Sequence, residues 1–261
     1  MNWNTYPYFA LAALACWSLA SVLAFHGKSR KASLVLASTG LGILALFIGG
    51  MWIELQRPPL ATLGETRLWY SFFLLFFGLL VSCLYRYRWI PALSTLLSLV
   101  FSLRNLIDPA IHTQALQPVL NSFWFVPHVI TYIFAYGLLA VTFLLSVYHL
   151  LFPQRKALET QAHIDRLSGI GSAFLLLGIC LGIVWAKQAW GNFWAWDPKE
   201  TWALATLLCY GIALGLRHCP EVPALSVKGS LVFQILGFLC LQICWYGINY
   251  LPSAQGSLHA Y

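Results

Sequence analysis

The chain has 261 residues, of which 60% are hydrophobic and only 9% charged, with a mean hydropathy of +0.74. No water-soluble domain could bury that much apolar surface, so lipid is the solvent for most of it. The net charge of +7 does not point to nucleic acid, because Lys and Arg sit in short clusters between apolar runs rather than along one exposed face.

A membrane-spanning helix needs roughly 20 mainly apolar residues. In chain order, spans are expected at 7–25, 33–53, 69–85, 89–103, 126–152, 168–187, 201–216 and 229–250. The first is read as a retained helix rather than a removable signal, since comparable runs recur to the far end. The fourth is short and carries Pro91. The expected fold is all-α: a polytopic integral membrane helical bundle of about eight transmembrane helices.

Alternate loops differ in basic content, and the richer set faces the cytoplasm. One set carries Lys28, Arg30, Lys31, Arg86, Arg88, Arg155, Lys156, Arg166, Arg217 and Lys228; the other carries only Arg57, Arg67, Arg104, Lys187 and Lys199. Both termini are therefore expected outside, together with segments 54–68, 104–125 and 188–200. No composition shift or repeat divides the chain, so residues 1–261 read as a single transmembrane domain with a specialised outer segment at 188–202.

Cys16, Cys83, Cys180, Cys209, Cys219, Cys240 and Cys244 include no C-x-x-C pair, which argues against a thiol-redox motif, a zinc knuckle or covalent heme attachment. Most lie within apolar runs and read as small core residues. Cys240 and Cys244 are one helical turn apart, a spacing that by itself says little.

The segment Trp190-Gly-Asn-Phe-Trp-Ala-Trp-Asp-Pro-Lys-Glu-Thr-Trp202 gathers four tryptophans, a phenylalanine and three charged residues between two spans. Interfacial belts are rich in Trp, but a belt does not require an Asp-Pro-Lys-Glu run threaded through it. The apolar faces of Trp190, Trp194, Trp196 and Trp202 would make a flat hydrophobic platform. Asp197-Pro198 reads as a helix start, with Asp197 as N-cap and Pro198 at the first helical position. The N–H groups of that helix, with Lys199 adding positive charge, could meet a carboxylate.

Two histidines flank this segment on the expected outer side: His128, after Phe123-Trp-Phe-Val-Pro127, and His259, near the C-terminus. A lone His at a membrane edge is usually hydrogen-bonded or solvated. A pair flanking an aromatic platform instead suggests axial ligation of heme iron. His26, His112, His149 and His163 read as solvated or structural. His218, at the cytoplasmic end of the seventh span, is a weaker candidate for an inner heme site.

The chain resembles the CcsA/ResC family of cytochrome c biogenesis proteins of System II. Trp190-Gly-x-x-Trp194-x-Trp196-Asp-Pro-Lys-Glu-Thr-Trp-Ala203 matches that family's tryptophan-rich motif. Phe-Trp-Phe-Val-Pro-His128 matches its outer histidine before the motif, and the stretch from Asn249 through Leu258-His259-Ala-Tyr261 matches the outer histidine after it. Pro59-Leu-Ala-Thr-Leu-Gly-Glu65 is similar to an early loop of the family, except that Gly64 stands where an aromatic residue is usual. Gly215 likewise stands where the family usually has an inner histidine, with His218 three residues further on.

The resemblance implies a multi-pass protein of a bacterial cytoplasmic membrane or a plastid thylakoid membrane. It implies heme b as substrate and ligand, bound by Trp190, Trp194, Trp196, Asp197, Lys199 and Trp202, with His128 and His259 holding the iron axially. It also implies holocytochrome c synthase (heme lyase) activity toward C-x-x-C-H apocytochrome c, shared with a CcsB/ResB-like membrane protein and involving no nucleic acid. No catalytic acid or base is assigned. The alternative is a CcmC-like protein that delivers heme without synthase activity. HemX-like regulators lack the tryptophan motif, and a coupled solute transporter would need an intramembrane ionisable pathway that the sequence does not show.

Overall fold

The structure is a computed structural model that describes residues 1–27, 29–112, 120, 122–152, 157–217 and 223–247. It contains eight α-helices: α1 Tyr6–Phe25, α2 Arg30–Leu55, α3 Leu63–Tyr85, α4 Ile90–Ile107, α5 Phe125–Leu151, α6 Ala157–Trp190, α7 Pro198–Arg217 and α8 Pro223–Trp245. A single 3-10 turn, Pro109–His112, follows α4, and the described residues include no strand. Seven of the helices are long and apolar enough to cross a membrane. The exception is α7, whose first turn carries Glu200 and whose last carries Arg217.

Helices suit lipid because they satisfy their own backbone N–H and C=O groups where no water can. Their outward residues match that solvent: Leu11, Val35, Leu46, Leu176 and Leu208 are all exposed. The protein is a polytopic helical membrane protein.

Helix ends depart from the expected spans for local reasons. The sixth span was expected to begin at 168, but α6 begins at Ala157. Its polar first turns are still packed, with Thr160, Gln161, Ile164 and Leu167 buried. Pro91 does not break α4, because it lies in the first turn, where its missing N–H costs nothing. The expected loop 54–68 is shortened because α3 starts at Leu63 with a capping box: Glu65 N–H donates to Thr62 Oγ1 at 3.2 Å, and Thr62 N–H donates to the Glu65 carboxylate.

The chain forms two compact units, Met1–Leu120 and Asn121–Tyr261. In the first, α1 packs on α2 and α4, and α3 packs on α4. Trp17, Phe47, Leu68 and Leu75 are fully buried at its centre.

One end of this unit is built around Glu65, which is 2% exposed. Its carboxylate accepts two N–H groups from Arg57, each at 2.9 Å, and the Ala61 N–H at 2.7 Å. Beside it, Gly64 leaves room for rings from elsewhere. A Cβ at 64 would stand 3.0 Å from His112 and 3.1 Å from Trp3, whose rings stack at 3.7 Å. Trp3 and His112 thus fill the space that a side chain at position 64 would take. Burial holds the His112 imidazole below its ordinary pKa, so it stacks there as the neutral ring.

Replacing Glu65 by Ala strands the Arg57 guanidinium and two backbone N–H groups. The expected loss is about 3 kcal/mol of stability, read as a lower unfolding temperature in detergent, with Glu65→Gln losing less.

Candidate functional site

The second unit pairs α5 with α6 and α7 with α8, and α5 also packs on α8. The α5–α6 contact depends on Gly178 and Gly182, one turn apart on α6. A Cβ at 178 would lie 2.7 Å from the Tyr132 ring, and one at 182 would lie 2.6 Å from the His128 ring. Only hydrogen at both positions lets the two rings of α5 sit against the α6 backbone, the close approach that small-xxx-small spacing permits between membrane helices.

That approach sets the chemistry of His128. Its Nδ1 is 2.8 Å from the Gly178 carbonyl oxygen. A carbonyl can only accept, so Nδ1 carries the hydrogen and the lone pair falls on Nε2. A backbone acceptor of this kind is what orients metal-binding imidazoles and raises their basicity. The ring is further framed by Tyr132, edge-on at 4.9 Å, and by Trp185, stacked at 5.5 Å.

Trp185 connects His128 to the tryptophan-rich segment. It is buried, and its ring lies 4.8 Å from that of Trp190, the last residue of α6. Ser122 Oγ donates to Gln188 Oε1 at 2.7 Å, tying the lead-in to α5 to the same end of α6.

From Trp190 the chain turns at Gly191, where φ is +82°. Lys187 Nζ fixes the turn by donating to the Gly191 carbonyl at 2.7 Å, while lying 5.0 Å from the centre of the Phe193 ring. The four tryptophans then divide. Trp194 and Trp202 pack around Ile179, Ala203 and Cys244, beside Tyr132. Trp196 is 68% exposed, as is much of Phe193. The four indoles do not form the single flat platform expected from the sequence, because Trp194 and Trp196 stand at 86° to each other. The cause is the backbone: Trp196 has φ +54°, a conformation rare for a bulky residue, and it turns the ring away from its neighbour.

Asp197 caps α7 as the sequence suggested. Its carboxylate accepts the Lys199 N–H at 2.9 Å, and its carbonyl accepts that of Thr201. Glu200 reaches back to accept the Ala195 and Asp197 N–H groups at 2.9 and 3.1 Å. Both carboxylates are therefore occupied in shaping the turn, and the α7 N-terminus already faces the buried carboxylate of Asp197. Below, Cys244 Sγ donates to the Lys199 carbonyl at 3.2 Å and accepts from Tyr136 Oη at 3.7 Å.

The structure thus joins His128 and the tryptophan segment at one end of the second unit. His259 and His218 lie outside the described residues. Among the described residues, nothing lies within 4 Å of a Cβ added at Gly215. Elsewhere, His26 bonds the Val22 carbonyl of its own helix, His149 is buried in α5, and His163 lies in α6. Sequence reasoning missed Trp185, Gly178 and Gly182. The Gly-x-x-x-Gly spacing was the available signal for the glycines.

These features define a multi-pass helical membrane protein whose second unit brings His128 and a tryptophan-rich segment together at one end. Comparison with known proteins makes the class specific. The family model described as "Cytochrome C assembly protein" matches residues 5–254, and the chain belongs to that family. It is similar to the cytochrome c biogenesis protein CcsA of Prochlorococcus marinus, at 30% identity over 98% of this chain and 93% of that one. The CcsA of Porphyra purpurea is 28% identical over 96% and 92% of the two chains.

Two substitutions check this geometry. Gly182→Val should push the His128 ring off the Gly178 carbonyl, at a cost of about 1–3 kcal/mol from overpacking, measured by unfolding and by the imidazole NMR signal. Trp196→Gly should leave stability unchanged or raise it by about 1 kcal/mol, because it relieves a strained backbone, and the same unfolding assay reads it.

Proposed function

We propose that the protein acts in cytochrome c biogenesis by taking heme b from the cytoplasmic side and presenting it at the outer face of its membrane. With a CcsB/ResB-like partner, it then promotes attachment to C-x-x-C-H apocytochrome c as a holocytochrome c synthase component. The membrane is a bacterial cytoplasmic membrane or a plastid thylakoid membrane. The observation that carries the reading is His128, whose Nδ1 donates to the Gly178 carbonyl beside Trp185 and Trp190. This supports a reading in which Nε2 is the nitrogen that meets iron, beside aromatic surface.

In this reading His128 and His259 are the axial ligands, with His218 as a candidate for an inner site. Trp190, Trp194, Trp196 and Trp202 provide apolar contact for the macrocycle, and Asp197 and Lys199 set the turn that carries them. Attachment adds each cysteine S–H across a vinyl C=C: sulfur bonds one carbon and hydrogen goes to the other, with no net electron transfer. The protein's share is to hold the vinyl groups in fixed orientation, which can supply much of the barrier lowering by proximity alone.

The test is to co-express the protein with its partner and an apocytochrome. Wild type should purify with six-coordinate heme and yield covalent product, while His128→Ala and His259→Ala should each change the spectrum and lose most of the product, with added imidazole restoring part of it. Normal product and an unchanged spectrum in both variants would overturn the assignment.

One observation favours the CcmC-like alternative: Asp197 and Glu200 are both engaged in capping, which leaves no carboxylate in this turn for proton transfer. Covalent product in cells without any heme chaperone would exclude simple delivery.

A further inference from the structure

The first unit has a second feature, remote in sequence from the tryptophan segment. Its acidic residues, Glu54, Glu65 and Asp108, all lie at the end where α2 and α4 finish and α3 begins. Glu65 is paired there with Arg57 and Asp108 with Arg104. The opposite end carries Arg30, Lys31, Arg86 and Arg88, with no acid among the described residues. By the positive-inside rule, this basic end of the unit faces the cytoplasm.

A cavity of about 210 Å³ opens at this end, lined by Leu23, Ala24 and Gly27 of α1 and its C-terminal turn, Arg30, Ser33 and Leu34 of α2, Ser82 of α3, and Arg88 and Pro91 at the start of α4. Among the described residues, its only charged lining residues are the two arginines. Arg30 is held in place by donating from Nη2 to the Ser82 carbonyl at 2.9 Å, which leaves other guanidinium N–H groups to serve the cavity. Helix stability does not explain this arrangement. Arg30 and Lys31 stand in the first turn of α2, the positive end of its dipole, where cations are unfavourable and an anion is favoured.

We propose that this cavity binds the phosphate head group of an anionic phospholipid, with Arg30 and Arg88 on the phosphate and Leu23 and Leu34 against the glycerol and upper acyl chain. Size and charge select this ligand. The cavity is smaller than the roughly 300–1,000 Å³ that enclose drug-sized ligands, so it admits a head group and excludes a macrocycle. Basic pockets between membrane helices on the cytoplasmic side are suited to such head groups. This site is independent of the heme assignment above.

The experiment is native mass spectrometry of the purified full chain, delipidated and then equilibrated with equal amounts of phosphatidylglycerol and phosphatidylcholine. Two cations on one phosphate should give wild type a preference for phosphatidylglycerol of about tenfold or more. The Arg30→Gln/Arg88→Gln double variant should fall to within about twofold of no preference, whereas Lys31→Gln, a neighbouring cation that does not line the cavity, should keep it. Ala24→Phe, which fills the cavity without removing charge, should also abolish the preference and covers the case in which the double variant does not fold. No preference in wild type, or one that survives both the double variant and Ala24→Phe, would overturn the proposal. Arginine-dependent binding of inorganic phosphate without a preference between the two lipids would also overturn it, by making the ligand free phosphate.

Discussion

The close approach of α5 to α6 is the contact on which the second unit depends. Helix association in lipid gains little from the hydrophobic effect, because lipid tails are as apolar as the side chains they would replace. Packing and hydrogen bonds must do the work. Gly178 and Gly182 supply both, giving Tyr132 and His128 a flat backbone to rest on and His128 a carbonyl to bond. The imidazole's orientation, and with it the nitrogen that carries the hydrogen, thus depends on two residues that have no side-chain chemistry of their own.

The tryptophan-rich segment has two physical jobs. Trp194 and Trp202 anchor it by packing into the unit's interior, while Trp196 and Phe193 are displayed. The acidic residues among them hold this division in place. Asp197 and Glu200 satisfy the N–H groups at the start of α7 and in the turn before it, so the displayed rings sit on a defined backbone. The left-handed conformation of Trp196 marks the position where local comfort is given up, and such strain characteristically accompanies function.

Charge is arranged just as unevenly in the first unit. Paired ions at one end tighten the α2–α3 connection and the α4 terminus, and Arg30, Lys31, Arg86 and Arg88 gather at the other with no acid beside them among the described residues. A bilayer gives this asymmetry meaning, since it fixes which end meets anionic head groups. Trp3 and His112 show a different economy at the paired end. Their stacked rings cover Gly64, so the space beside it is filled by rings from before α1 and after α4.

Much of this was legible in the chain alone. Runs of apolar residues located the eight helices of the described residues, and seven of these have the length and hydropathy that crossing lipid demands. Asp197-Pro198 announced the start of α7, because caps are local chemistry. Family likeness was carried by the tryptophan motif, and the comparisons bear it out. Helix ends were less legible: α6 extends eleven residues before its expected span because its polar turns are buried by tertiary packing rather than by lipid. The non-planar tryptophans, the pairing of His128 with Gly178 across fifty residues and the capture of Gly64 by Trp3 were invisible to spacing. Sequence determines what is local or demanded by the solvent, whereas only the tertiary structure decides which distant side chains meet, because that depends on how closely two helices approach.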